Sequence, residues 1–142
     1  VGGLFMFSTF GPDTLRELAG CFGDGAAHTQ RFTDMHDLGD MLVECGFVDP
    51  VMDMEVLTLT YHSVDDLVSE LRAAGERCAM HGRRQVLAGR GVWERVRAAY
   101  AKLSQDGRIP ATFEVVYGHA WKGEPKKTAD GRAIVRFERR PK

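Results

Sequence analysis

The chain has 142 residues, 44% of them hydrophobic and 27% charged, with a formal net charge of −1. That balance is of a folded globular protein and excludes disordered and fibrous classes, and a near-zero charge argues against a dedicated nucleic-acid binder, which carries a large basic excess. The length suffices for one hydrophobic core, and three widely spaced cysteines without a CxxC pair, Cys21, Cys45 and Cys78, favour a reducing, cytoplasmic setting.

The chain opens on Val1-Gly2-Gly3-Leu4-Phe5-Met6-Phe7-Ser8-Thr9-Phe10, a near-continuous apolar run closed by Gly11-Pro12. This pattern predicts a strand covered on both faces, whose neighbours are not in front of it, so the fold is expected to start midway. The run has no charged leader or cleavage site and is far shorter than the ~20 apolar residues that cross a bilayer, so neither a signal peptide nor a membrane span is expected. Thr14-Leu15-Arg16-Glu17 fits a capping box for a short helix that stops near Gly23. A polar loop through His28 then reaches Arg31-Phe32. Thr33 is the expected N-cap of a second helix, whose Met35, Leu38, Met41, Leu42 and Cys45 form one stripe ending at Gly46.

Pro50 to Tyr61 predicts a long strand with both faces partly covered, Met52, Met54 and Val56 on one and Leu57, Leu59 and Tyr61 on the other. Ser63 caps a helix through Val64, Leu67, Val68 and Leu71 to Gly75. Residues 76–91 have no sustained period and read as a surface loop. Val92, Val96, Ala99, Tyr100 and Leu103 line a further helix that stops at Gly107. In the strand Ala111 to Trp121, Phe113, Val115, Tyr117, His119 and Trp121 share one face, and Thr112, Glu114, Val116, Gly118 and Ala120 the other. Arg132 to Arg139 alternates as a last strand. The order of strands and helices argues for α/β layering in a single partial domain, residues 1–142.

Chemistry-bearing motifs are sparse. Cys78 and His81 are three apart, and His28 and His36 flank a helix start, but no second pair has ligand spacing, so no metal is expected. No base stands at a recognisable distance from Cys78, which removes it as a nucleophile. Gly89-Arg90-Gly91 precedes a helix but follows no strand, so it does not read as a dinucleotide loop. Basic clusters at Arg83-Arg84, Lys122 to Lys127 and Arg139-Arg140 read first as solvated surface.

Several segments resemble a known family. Gly2 to Gly11 looks like the fifth strand of class I S-adenosylmethionine-dependent methyltransferases, and Arg31-Phe32-Thr33-Asp34 with Gly46-Phe47 resembles the segment before their sixth strand. Asp106-Gly107-Arg108-Ile109-Pro110-Ala111-Thr112-Phe113-Glu114-Val115-Val116-Tyr117-Gly118-His119-Ala120-Trp121 is similar to the end of the malonyl-acyl carrier protein O-methyltransferases of biotin synthesis. The resemblance implies the C-terminal part of a Rossmann-like methyltransferase sheet, with residues 63–105 as an inserted helical pair. It further implies methyl transfer to the free carboxylate of a malonyl thioester on acyl carrier protein. S-adenosyl-L-methionine would be held mainly by the preceding half, since no glycine-rich turn lies between a strand and a helix here, and this chain alone is expected to be inactive.

A carboxylate acceptor is already ionised near neutral pH, so alignment matters more than acid or base machinery, and no catalytic residue is assigned. The site needs a cation for a partly desolvated carboxylate and an apolar wall. Arg31 could grip it in a bidentate pair, with a solvated loop arginine or a helix-docking salt bridge as the alternatives. Phe32 is expected at the same mouth. Arg72 matches a position often basic in the family, or serves its own helix C-terminus. Tyr117, His119 and Trp121 form either a pocket wall with polar tips or core packing. Arg83, Arg84 and Arg90 suit an acidic carrier. The other functional readings are a non-catalytic interaction module and a methyltransferase for another small acceptor; under every reading the exposed edge of the opening strand predicts a homo-oligomer.

Overall fold

The structure is a computed structural model and describes residues 1–23, 27–75, 79–80 and 89–124. The expected strand at 132–139 lies outside the described residues, as do Cys78, His81, Arg83 and Arg84. In chain order the described elements are β1 (Leu4–Phe10), α1 (Arg16–Phe22), α2 (Met35–Glu44), β2 (Phe47–Tyr61), α3 (Val64–Ala73), α4 (Arg90–Ala101) and β3 (Ile109–Lys122). No helix among the described residues is long and apolar enough to cross a membrane.

The three strands form one sheet in the order β1-β3-β2, with β3 antiparallel to both neighbours. β1 and β2 therefore run parallel, joined by a crossover containing α1 and α2, and β3 returns between them. Centrality explains the burial of β3. Its even-numbered side chains, Thr112, Glu114, Val116 and Ala120, are all buried, as is Gly118. The hairpin into β3 turns at Asp106-Gly107, both with positive φ (49° and 75°), and is closed by reciprocal backbone bonds between Gln105 and Arg108. Two consecutive left-handed residues match the twist of the flanking strands. α4 accordingly ends at Ala101, six residues before the Gly107 stop that the sequence suggested.

Local signals place the helices well. Ser63 Oγ accepts from Asp66 N at 3.1 Å and caps α3. The cap of α2 is Asp34, one residue after the expected Thr33, and its carboxylate accepts from His36 N. Gly46, at φ +79°, stops α2 in the left-handed region where only glycine is unstrained. Lys122 from the basic cluster has structural work, donating from Nζ to the Cys45 carbonyl at this helix end and lying over the Phe47 ring.

The capping box at α1 is not made. Leu15 stands at its N-cap with φ 58° and no side-chain cap. Thr14 and Glu17 instead reach β3, where they satisfy its backbone. Thr14 Oγ1 accepts from Glu114 N and donates to the Glu114 carbonyl, and the Glu17 carboxylate takes the N–H and hydroxyl of Thr112. A tertiary partner has displaced the local one.

The core gathers Leu18 of α1, Val64 and Leu67 of α3, Val96 and Tyr100 of α4, and Ile109 and Ala111 of β3. Fully burying side chains such as Leu67 contributes about 1.5–3 kcal/mol each. Tyr100 has its hydroxyl inside this core, where it donates to the Pro110 carbonyl at 2.8 Å, and burial pushes its pKa upward. α2 covers the opposite sheet face, over Phe7 and Met52.

Coverage of the two outer strands is sparser than expected within the described residues, and the double cover expected of β1 fails. β1 is not buried on both faces, since Leu4, Phe5 and Met6 are exposed, Met6 to 69%. β2 is equally open at Val51, Met54, Val56, Leu57 and Leu59. Both strands flank β3, so each has a single hydrogen-bonded neighbour, and the described helices screen only part of each face.

Candidate functional site

The site is built at the carboxyl end of β1, the end at which open α/β sheets place their ligands. Gly11 N donates to the Glu114 carbonyl at 2.8 Å, and Asp13 N to Glu114 Oε2 at 2.8 Å, so the chain leaving β1 is clamped onto β3. It then forms α1 and comes back across the strand end through residues 27–32. Phe10 meets Phe32 edge-on at 5.6 Å between ring centroids and Phe113 at 5.9 Å. These rings, with Leu18 and Leu71, wall a small, partly open cavity of about 70 Å³, and Thr14 and Gln30 add polar atoms. A greasy wall with few polar groups is the usual character of a ligand site.

Behind the wall, His28 stacks on Phe22 at 3.6 Å with rings 5° from parallel, and Phe22 meets Trp93 edge-on. This ties the returning segment to α1 and α4. Gln30 reaches further: its Oε1 accepts from Ala79 N at 3.2 Å and its Nε2 donates to Met80 Sδ at 3.4 Å. Arg31 sits between Gln30 and Phe32, exposed, and makes no hydrogen bond or ion pair among the described residues. The helix-docking salt bridge is thus absent there, and the guanidinium is available to an anion.

The other sequence-nominated residues are placed elsewhere. Arg72 follows pocket-lining Leu71 but is exposed in the last turn of α3, where its charge complements the helix dipole and bears on Asp65. Tyr117, His119 and Trp121 lie on the odd-numbered face of β3 toward its far end. Trp121 pairs with Leu4 and Val115 with Phe10, so six residues, about 20 Å of strand, separate Trp121 from the cavity end. Tyr117 and Trp121 are 44% and 46% exposed, which makes them neither core nor wall of this cavity. Together with Leu4, Met6, Val48 and Val51 they leave an apolar sheet face open. Gln30, Phe10, Leu71 and Phe113 were not nominated; only Phe10, closing an apolar strand next to Gly11, carried a signal.

A larger hollow of about 380 Å³ lies between β1 and α2, lined by Phe5, Phe7, Leu42 and Phe47 among others. It has almost no polar surface to orient a carboxylate, so the smaller cavity is the better site. Among the described residues no three metal-ligating side chains come together. Cys21 is half-buried, and burial, then Glu17, pushes its thiol up, away from thiolate chemistry.

The Glu17–Thr112 contact beside the cavity has a pH consequence. Burial works to raise the Glu17 pKa, but hydrogen bonds from the Thr112 hydroxyl and N–H outweigh it and hold the carboxyl below its ordinary 4.5. A lowered value means the unfolded chain binds the proton more readily, so the contact stabilises fully above about pH 4.5 and is lost as pH falls through the folded value. Thr112→Val should therefore be less stable than wild type at pH 7, with the gap closing on acidification. Urea unfolding at several pH values checks this, and a pH-independent gap contradicts it.

The β1–α1 turn does not fit the glycine-rich turn that would hold S-adenosylmethionine. A cofactor-binding turn between strand and helix needs open glycine backbone. At the β1–α1 turn, however, a Cβ on Gly11 would fall 2.4 Å from Cδ of Glu114, whose buried carboxylate already takes the Asp13 N–H.

No protein-family model matches the chain. Among curated proteins it is 54% identical over 136 residues to the malonyl-[acyl-carrier protein] O-methyltransferase of Gallionella capsiferriformans, covering 94% of this chain and 47% of that protein. The protein of the same name from Laribacter hongkongensis is 53% identical over 142 residues, covering 96% and 48%. That of Coxiella burnetii is 44% identical over 137 residues, covering 94% and 49%. The chain thus spans about half the length of the curated relatives it matches, and over nearly all of its own length it is homologous to the C-terminal half of the malonyl-[acyl-carrier protein] O-methyltransferases.

Proposed function

We propose that the chain forms the acceptor-binding portion of an enzyme that transfers a methyl group from S-adenosylmethionine to the free carboxylate of a malonyl thioester carried by acyl carrier protein. The observation that carries this is identity of 53–54% with proteins named for that acceptor, over 94–96% of the chain. The geometry is compatible: an apolar cavity lies at a strand's carboxyl end, and the exposed Arg31 stands in the chain between two of its lining residues, Gln30 and Phe32. The cavity excludes water, and Arg31 offsets the desolvation of the carboxylate and orients its oxygens. In this reading S-adenosylmethionine supplies the electrophilic methyl and is bound by the other half of the enzyme. Residues 63–105 act as the helical insertion bordering the acceptor.

Among the described residues one edge of β1 is unpaired, which supports association, either with that cofactor-binding half or with a second copy. The test has two arms. S-adenosylhomocysteine titrated into the 142-residue chain should give no heat, and into the complete enzyme a micromolar isotherm. The complete enzyme should move labelled methyl onto malonyl-acyl carrier protein and not onto the acetyl form, which lacks a carboxylate. Methylation of a different acceptor, with malonyl-acyl carrier protein untouched, would sink the reading.

A further inference from the structure

Three consecutive residues at the cavity rim are tied down very differently. Phe32 is packed edge-on against Phe10, and Arg31 makes no polar contact among the described residues. Gln30 spends both ends of its amide on a segment 49 and 50 residues away, accepting from Ala79 N and donating to Met80 Sδ. A long, half-buried glutamine loses rotamer freedom when so held, a cost that its two modest bonds must offset. What this achieves locally is an anchor on each side of Arg31. The backbone that carries Arg31 is thus held between two residues that line the cavity.

We infer that Gln30 is a positioning residue for acceptor recognition: its amide latch onto Ala79 and Met80 fixes the rim and holds Arg31 ready for the acceptor's carboxylate. This rests on the reading of the cavity as the acceptor site. The latch also ties the rim to Ala79 and Met80, so the acceptor's arrival and the placement of those two residues are linked through one side chain. Holding Arg31 in advance spares the ordering cost at the moment of binding. The effect belongs in acceptor affinity and not in the chemical step or cofactor affinity.

The test is Gln30→Leu in the complete enzyme, which keeps the side chain's bulk and removes both hydrogen bonds, beside Met80→Leu, which removes the sulfur acceptor alone. Losing a neutral hydrogen bond of ordinary strength corresponds to about fivefold in an equilibrium constant. The KM for malonyl-acyl carrier protein should rise about fivefold to tenfold in Gln30→Leu and less in Met80→Leu. The kcat, the S-adenosylhomocysteine affinity and the melting temperature should stay near wild type. A merely structural role would instead lower the melting temperature and leave KM alone, and an unchanged KM overturns the proposal. If wild type turns over no malonyl thioester, the functional reading has failed separately. Malonate titrated into wild type and Gln30→Leu then decides the latch by itself: weaker binding in the variant supports it, and equal or no binding in both overturns it.

Discussion

Arg31→Ala in the complete enzyme is expected to lower kcat/KM for the malonyl acceptor about a hundredfold. Removing a cation from a partly desolvated carboxylate costs about 3 kcal/mol, and each 1.36 kcal/mol is tenfold in rate. Arg31→Lys should recover only part, because an ammonium keeps the charge without the planar two-pronged donor. Folding should be unaffected, since Arg31 is exposed and has no partner among the described residues. Steady-state kinetics with malonyl- and acetyl-acyl carrier protein read the effect. A loss smaller than threefold would remove Arg31 from the carboxylate and send the search to Arg72.

Gly118→Ala is expected to be the most harmful methyl added to this fold's sheet. Gly118 is buried in the central strand, and a Cβ there would lie 2.5 Å from the Phe7 ring and 2.9 Å from Met52 Sδ. Both side chains must shift from their places beneath α2 to admit it. Overpacking of this kind costs about 1–3 kcal/mol, equivalent to several degrees in melting temperature. The mechanism is steric, so Phe7→Leu should reduce the cost of the alanine. Thermal melts of the four proteins of a double-mutant cycle measure that coupling; additive losses would refute the contact.

Much of the fold could be read from local pattern because the signals act over a few residues. Ser63 before Val64-Asp65-Asp66 caps α3 as expected, and Gly46 and Gly75 stop their helices at φ +79°. The alternation from Ala111 to Trp121 predicted β3 and both of its faces, but not which face would be covered. The aromatic side chains looked like the better wall, yet the face of Thr112, Glu114, Val116 and Ala120 is the buried one. Coverage depends on where helices dock. Long-range partners also overrode local chemistry at α1, where Thr14 and Glu17 bridge about 100 residues to β3 and leave the helix end uncapped.

The candidate site divides the same way. Phe32 was legible as a wall residue because an aromatic ahead of a helix suits an apolar mouth, while Arg31 was nominated for its charge and for the family resemblance. Gln30 was not, since one glutamine in a polar loop carries no periodicity, and its partners Ala79 and Met80 are remote in sequence. Tyr117, His119 and Trp121 were grouped correctly on one strand face. Only the antiparallel register of β3 with β1 showed that they run away from the cavity along that face, Trp121 by about 20 Å. By itself, then, the sequence determined the helices, the glycine stops of α1, α2 and α3, the strand that ends at the site and the resemblance to a family. Those depend on caps, turn glycines and side-chain spacing, which act within a few residues. Which side chains meet at the cavity was decided by tertiary structure alone, because β3 inserting between β1 and β2 sets contacts across a hundred residues that no local pattern encodes.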